Sequence, residues 1–115
     1  MSFKIKSIEQ ENIGILTVEG EVDMFTSPSL RDKLLPLFEK KVKGIIVDLK
    51  GVSFMDSSGI ATMVEGLQWS RKAGRAFVLT GLGVTVMNAL SLTKLETVFT
   101  IKADKEQAYN ELLNN

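Results

Sequence analysis

Cysteine and histidine are both absent from the 115 residues. The first absence excludes disulfides, thiolate chemistry and cysteine-ligated metal, and the second removes the commonest metal ligand and the commonest general base. Net charge is absent too: 14 basic residues offset 14 acidic ones, so no concentrated positive field favours nucleic acid. Lys40, Lys41 and Lys43 form the densest basic cluster and read as a solvated helix exit. No apolar run is long enough to span a membrane. The opening "MSFKIKSIEQ" alternates apolar and charged residues like a strand and lacks the apolar core of a signal peptide. The expectation is a soluble, cytoplasmic protein without cofactor or metal and without a membrane or nucleic-acid partner.

What the chain does contain is enough apolar content, 44%, for one core, so residues 1–115 are read as a single domain. Phe3 and Ile5 alternate with Lys4 and Lys6, and "IGILTVEGEV" puts Leu16, Val18 and Val22 on one face, predicting a β-hairpin with one exposed side. Ser27 followed by Pro28 signals a helix start, after which Leu30, Leu34 and Phe38 form a stripe. Pro36 inside that helix predicts a kink or an early end. The runs "GIIVDL" (44–49) and "AFVLTGL" (76–82) are nearly continuous apolar stretches, the pattern of strands covered on both faces. Between them Ile60, Met63, Val64 and Leu67 recur at helical spacing, giving a strand–helix–strand unit with a parallel crossover. Val86 and Leu90 share a face of a third helix, "TVFTI" reads as a last short strand, and Asp104 with Gln107 resembles a capping box before a C-terminal helix carrying Ala108 and Leu112. The predicted fold is a mixed α/β sandwich. Its small sheet is parallel at the centre, with an antiparallel N-terminal hairpin and about four helices packed against it.

The chemistry concentrates at "FMDSSGIATM" (54–63), where an apolar run ends in Asp56-Ser57-Ser58-Gly59 and a helical pattern begins. A serine on a strand-to-helix turn is how α/β-hydrolases expose a nucleophile, but that motif is Gly-x-Ser-x-Gly. Here Met55 precedes Ser57 by two and Asp56 precedes Ser58 by two, and no histidine can serve as base. The chain is therefore read as not an enzyme. The simplest alternative is that Ser57 or Ser58 caps the helix, worth roughly 1 kcal/mol, and that Asp56 gains from the positive end of the helix dipole. That reading leaves unexplained the pairing of two hydroxyls with a glycine and the apolar "VSFM". Gly81-x-Gly83 lacks the Gly-Lys-Ser/Thr continuation of a phosphate loop and reads as a turn into the third helix. Met63 lies on the buried stripe, Met55 beside the turn, and Trp69 off the stripe and partly exposed.

At "IIVDLKGVSFMDSSGI" the sequence resembles the STAS-domain family, specifically the bacterial anti-sigma factor antagonists. "VEGEVDMFTSPSL" resembles the family's second strand, turn and first helix, and "FVLTGLGVTVMNALSLT" its fourth strand and following helix. The resemblance implies a cytoplasmic regulator of transcription that binds an anti-sigma factor, itself a serine kinase, and so releases a sigma factor. A serine phosphatase is a further candidate partner. In that family the second serine of the motif is phosphorylated, which falls on Ser58, flanked by Asp56, Ser57 and Gly59. The partner surface falls on Asp23, Met24, Phe25 and Thr26, and on Met55, Ile60, Thr62 and Met63. The alternative within the family is a STAS binding module of a lipid-transport or other partner complex without phosphoswitching, separable by gene neighbourhood.

Overall fold

The computed structural model describes residues 3–114. Strand β1 (Lys4–Gln10) turns into β2 (Ile13–Val22) through Glu11 and Asn12, both at positive φ, 52° and 65°. That left-handed pair matches the twist of a two-residue hairpin. Strands β3 (Gly44–Met55), β4 (Ala76–Thr80) and β5 (Thr100–Lys102) then add one beside the next, each parallel to its neighbour. The crossovers are helices α1 (Ser27–Glu39), α2 (Ser57–Ala73) and α3 (Val84–Leu92). Each crossover moves one strand in the same direction, so a constant hand of connection lays all three helices on one face of the sheet. Helix α4 (Lys105–Leu113) covers the other face.

Burial on both faces explains the unbroken apolar runs. Ile45, Val47 and Leu49 of β3 join Leu30, Leu34, Met63 and Val86 in the core under α1, α2 and α3, while Ile46 joins Ile13, Ile15 and Val78 under Ala108 and Leu112 of α4. The mixed sheet with its N-terminal hairpin and four helices is the architecture expected. The exposed side of the hairpin is only partial, because α4 buries Ile13 and Ile15 of β2, and β1 carries most of the solvent-facing surface.

Four local expectations are corrected. Of the kink or early end expected at Pro36, the early end is corrected: α1 runs on to Glu39. Pro36 and Asp32, whose carbonyl lacks the Pro36 amide, are both exposed residues, and the last turn is tied by the Arg75 guanidinium, which donates to the carbonyls of Leu37, Phe38 and Lys40. Leu37, not Phe38, completes the fully buried stripe. Phe38 is half-buried in an edge-to-face contact with Trp69, centroids 5.5 Å apart, with Arg31 lying 5.3 Å above the indole. The last strand is Thr100–Lys102 and not residues 97–101, because Val98 is held in a turn by its amide's bond to the Leu95 carbonyl (3.0 Å). Strand β4 ends at Thr80, where Gly81 takes φ 69° to turn the chain toward α3.

Parallel pairing has a consequence for position. The chain exits of β2, β3 and β4 all lie along one edge of the sheet, where ligand and partner sites of open α/β sheets gather.

Candidate functional site

Strand β3 runs past the predicted "GIIVDL" to Met55, and Met55 stands opposite Val22 in register with the end of β2. The amide of Asp56 donates to the Val22 carbonyl (3.0 Å), so the turn after β3 and the loop after β2 are stitched together at their roots. From there α2 begins at Ser57, with Asp56 as its N-cap.

Asp56, and neither serine, is the cap. Its Oδ1 accepts from the Ser58 amide (2.9 Å), the Gly59 amide (3.3 Å) and the Ser58 hydroxyl (2.6 Å). Three donors on one carboxylate oxygen hold Asp56 below the usual carboxylate range. The Ser58 hydroxyl is the largest cause, opposed by desolvation and assisted by the backbone amides of Gly59, Ser58 and Met24. Ser57 is exposed and Ser58 half-exposed, and among the described residues the Ser57 hydroxyl has no hydrogen-bond partner. Gly59 lets α2 sit this close: a Cβ there would lie 2.5 Å from Met55 Cγ and 2.8 Å from Val22 Cγ1.

The loop after β2 divides its residues between frame and tip. Asp23 Oδ1 accepts from the amides of Phe25 (2.9 Å) and Thr26 (3.1 Å), and the Thr26 hydroxyl donates to the Glu21 carbonyl (2.9 Å). Those bonds fix the loop and leave Met24 and Phe25 pointing outward, 66% and 82% exposed. A rigid loop that presents two large apolar side chains to water gains nothing for the fold.

The eight residues expected to form a partner surface therefore divide. Met24 and Phe25 are exposed and Asp23 and Thr26 frame them. Direct contact is corrected for Met63 and Thr62, which are 0% and 6% exposed. Met63 sits on the core stripe, and the Thr62 hydroxyl donates back to the Ser58 carbonyl (3.1 Å). Ile60, 5% exposed, and Met55 form the floor of an apolar groove of about 390 Å³ between α2 and α3, rimmed by Phe54, Ser57, Asn88 and Leu92.

Phe54 and Leu92 on that rim, and the exposed Val84 at the start of α3, are what sequence reasoning missed. Phe54 is 42% exposed, Val84 78% and Leu92 86%, and each lies at the strand-exit edge or on α3 beside it. The signal was present. Val84 and Leu92 are apolar residues left over once Val86 and Leu90 are assigned to the buried face of α3. No described helix is long and apolar enough to cross a membrane, and the described residues hold no cluster of acidic side chains suited to a metal ion.

The comparisons agree with this geometry along nearly the whole chain. The anti-sigma-B factor antagonist of Bacillus subtilis (strain 168) is 30% identical over 106 residues, covering 92% of this chain and 96% of that protein. A crystal structure of an anti-sigma factor antagonist from Mycobacterium paratuberculosis superposes with a TM-score of 0.88 at 21% identity, covering 96% of this chain and 94% of that one. The anti-sigma factor antagonist SpoIIAA in its unphosphorylated form gives 0.82 at 20% identity, covering 99% and 98%. The phosphorylated form of the Bacillus protein SpoIIAA gives 0.74 at 20% identity, covering 96% and 99%. A family model for the STAS domain matches residues 4–108, from the first strand into the first turn of the helix that covers the second face, and the chain belongs to the STAS-domain family.

Proposed function

We propose that this protein is an anti-sigma factor antagonist, the function its Bacillus subtilis relative is named for. It is a regulatory binding protein and not an enzyme, and it acts in the cytoplasm. Its partner is an anti-sigma factor that is itself a serine kinase, and phosphorylation of Ser58 by that partner ends the complex; a serine phosphatase restores it.

The observation that carries this reading is the position of the Ser58 hydroxyl. It sits half-exposed in the first turn of α2, on the edge of the sheet that also presents Met24 and Phe25. A phosphate at a helix N-terminus lies among amides and the positive end of the dipole, so the fold tolerates it. The same dianion pressed into a partner interface meets desolvation and like-charge costs of several kcal/mol. Taking a complex from almost fully bound to almost fully free needs about 5.5 kcal/mol of differential affinity, and a dianion held in an apolar interface is of that order.

The test is capture of the partner from the native cell followed by binding measurements with purified proteins. Ser58→Ala binds and is never released by ATP. Ser58→Asp stays folded and binds weakly. Label from the partner kinase and ATP appearing elsewhere than Ser58, or tight binding by Ser58→Asp, overturns the switch.

A further inference from the structure

The motif offers a kinase two neighbouring hydroxyls on one turn, and their chemistry is identical. Their surroundings differ. The Ser58 hydroxyl donates to Asp56 Oδ1 at 2.6 Å, short for a neutral donor and typical of a charge-assisted bond. The Ser57 hydroxyl, one residue earlier and more exposed, has no partner among the described residues and turns freely about its χ1.

Asp56 is itself fixed. Its amide is bonded to the Val22 carbonyl (3.0 Å), its carbonyl accepts from the Ile60 amide (3.1 Å), and its carboxylate is held by the Ser58 and Gly59 amides. An anionic carboxylate only accepts. The proton of the Ser58 hydroxyl therefore points at Asp56, and the lone pairs of Oγ point away from it.

We propose that Asp56 selects Ser58 over Ser57 as the phosphate acceptor, by aiming its oxygen and by taking its proton. The proposal rests on the reading of Ser58 as the switch residue. In the transfer, Ser58 Oγ forms a bond to the γ-phosphorus of a nucleoside triphosphate while the bond from that phosphorus to the β–γ bridging oxygen breaks. The nucleoside diphosphate leaves with that electron pair, and the hydroxyl proton passes along the existing bond to Asp56 Oδ1. The hydrogen bond that keeps Asp56 anionic before transfer is lost in the same step, and a phosphate dianion arrives beside it. Both changes raise the basicity of Asp56 as the proton moves. Ser57 has no such group, so its attack has an unfixed oxygen and no local proton acceptor.

The experiment uses the full chain, magnesium ATP and the kinase captured by the unmodified protein, with phosphosites assigned by mass spectrometry. Asp56→Asn keeps an oxygen that accepts from the hydroxyl and the two amides but takes no proton. Its kcat as substrate falls about tenfold or more with KM unchanged, and Ser58 remains the labelled residue. Asp56→Ala loses both functions, and label spreads to Ser57. A merely structural cap gives a different pattern, with KM rising in step with loss of melting temperature and Asp56→Asn fully active. A second readout needs no kinase: in the free protein the Ser58 hydroxyl proton is protected from exchange with water in NMR spectra, and the Ser57 proton is not. Equal exchange at both serines, an Asp56→Asn rate equal to that of the unmodified protein, or Asp56→Ala labelled at Ser58 alone and at full rate overturns the proposal. Absence of label on the unmodified protein strikes the switch reading itself, and the proposal falls with it.

Discussion

Replacement of Gly59 by alanine tests how the site is held against the sheet. In isolation the change favours a helix, since alanine is better than glycine by about 1 kcal/mol. The surroundings oppose it. The new methyl would lie 2.5 Å from Met55 Cγ and 2.8 Å from Val22 Cγ1, and neither neighbour has room, with Met55 2% and Val22 0% exposed. Val22 is β-branched in a strand, so its χ1 is stiff, and Met55 must shift from its middle, not its tip. Overpacking of this kind costs about 1–3 kcal/mol, and two sub-3 Å contacts against buried side chains place it at the upper end. The net expectation is a loss of about 2 kcal/mol, or roughly 8 °C in melting temperature for a chain of this size. Because the strain is relieved by lifting the start of α2, the bond from the Gly59 amide to Asp56, already 3.3 Å, breaks first. The assay is a pair of thermal melts with Gly74→Ala alongside. Gly74 closes α2 at φ 70° with nothing within 4 Å, so its alanine carries only the left-handed backbone cost of about 1–2 kcal/mol. If Gly59→Ala melts at or above the unmodified protein, the close-approach reasoning is wrong.

Arg75→Ala removes the guanidinium that caps the carbonyls of Leu37, Phe38 and Lys40; stability falls by about 1–2 kcal/mol, and hydrogen exchange quickens at the end of α1 first. Asp56 is depressed in the folded state, so its contribution to stability is fully present above its ordinary value of 3.8 and is lost as pH falls through the lower folded value. Ser58→Ala removes the largest cause, so NMR titration finds the Asp56 carboxyl moved up toward 3.8. Phe25→Ser removes an apolar ring that is 82% exposed; the melting temperature stays within about 2 °C, while partner binding weakens at least tenfold, the loss that burial of an aromatic anchor in an interface entails.

The layered fold was legible because its signals are collective. "GIIVDL", the first half of β3, and "AFVLT", all of β4, lack alternation, and only two-sided burial accounts for that. Errors came where one residue's environment decided the outcome. Phe38 and Leu37 are adjacent on α1, and helical spacing alone does not say which one meets the sheet and which one meets Trp69. Pro36 carries a strong local rule, but its cost depends on whether the freed carbonyl faces water, which only the packed helix decides. The strand at "TVFTI" failed for a related reason: apolar, β-branched composition is satisfied equally by a turn that buries Phe99. In the site, the motif and its two flanking loops were legible, yet which side of each side chain faces out was not. Met55, Met63 and Thr62 stand in a stretch that borders the site and point inward, while Val84 and Leu92 lie far along the chain and come to the same edge only through parallel pairing.

Two loops that are remote in sequence are joined at their roots by the bond from the Asp56 amide to the Val22 carbonyl, and this bears on how a single phosphate acts under the proposed function. The Asp56 carboxylate accepts from the Ser58 hydroxyl and from the Ser58 and Gly59 amides. A phosphate on Ser58 removes the hydroxyl donor and places a second anion within a few ångströms of Asp56. At an effective dielectric of about 20, two unit charges 4 Å apart repel by about 4 kcal/mol, and the half-exposed setting of Ser58 reduces that further. The core beneath is unaffected, because Met63, Leu34 and Val22 are packed by apolar contacts that no charge at the surface alters. The perturbation is therefore confined to the layer that also carries Met24 and Phe25. On the function proposed above, a surface charge of this kind changes affinity at the layer carrying Met24 and Phe25 and spares the core, so the fold survives modification while binding does not.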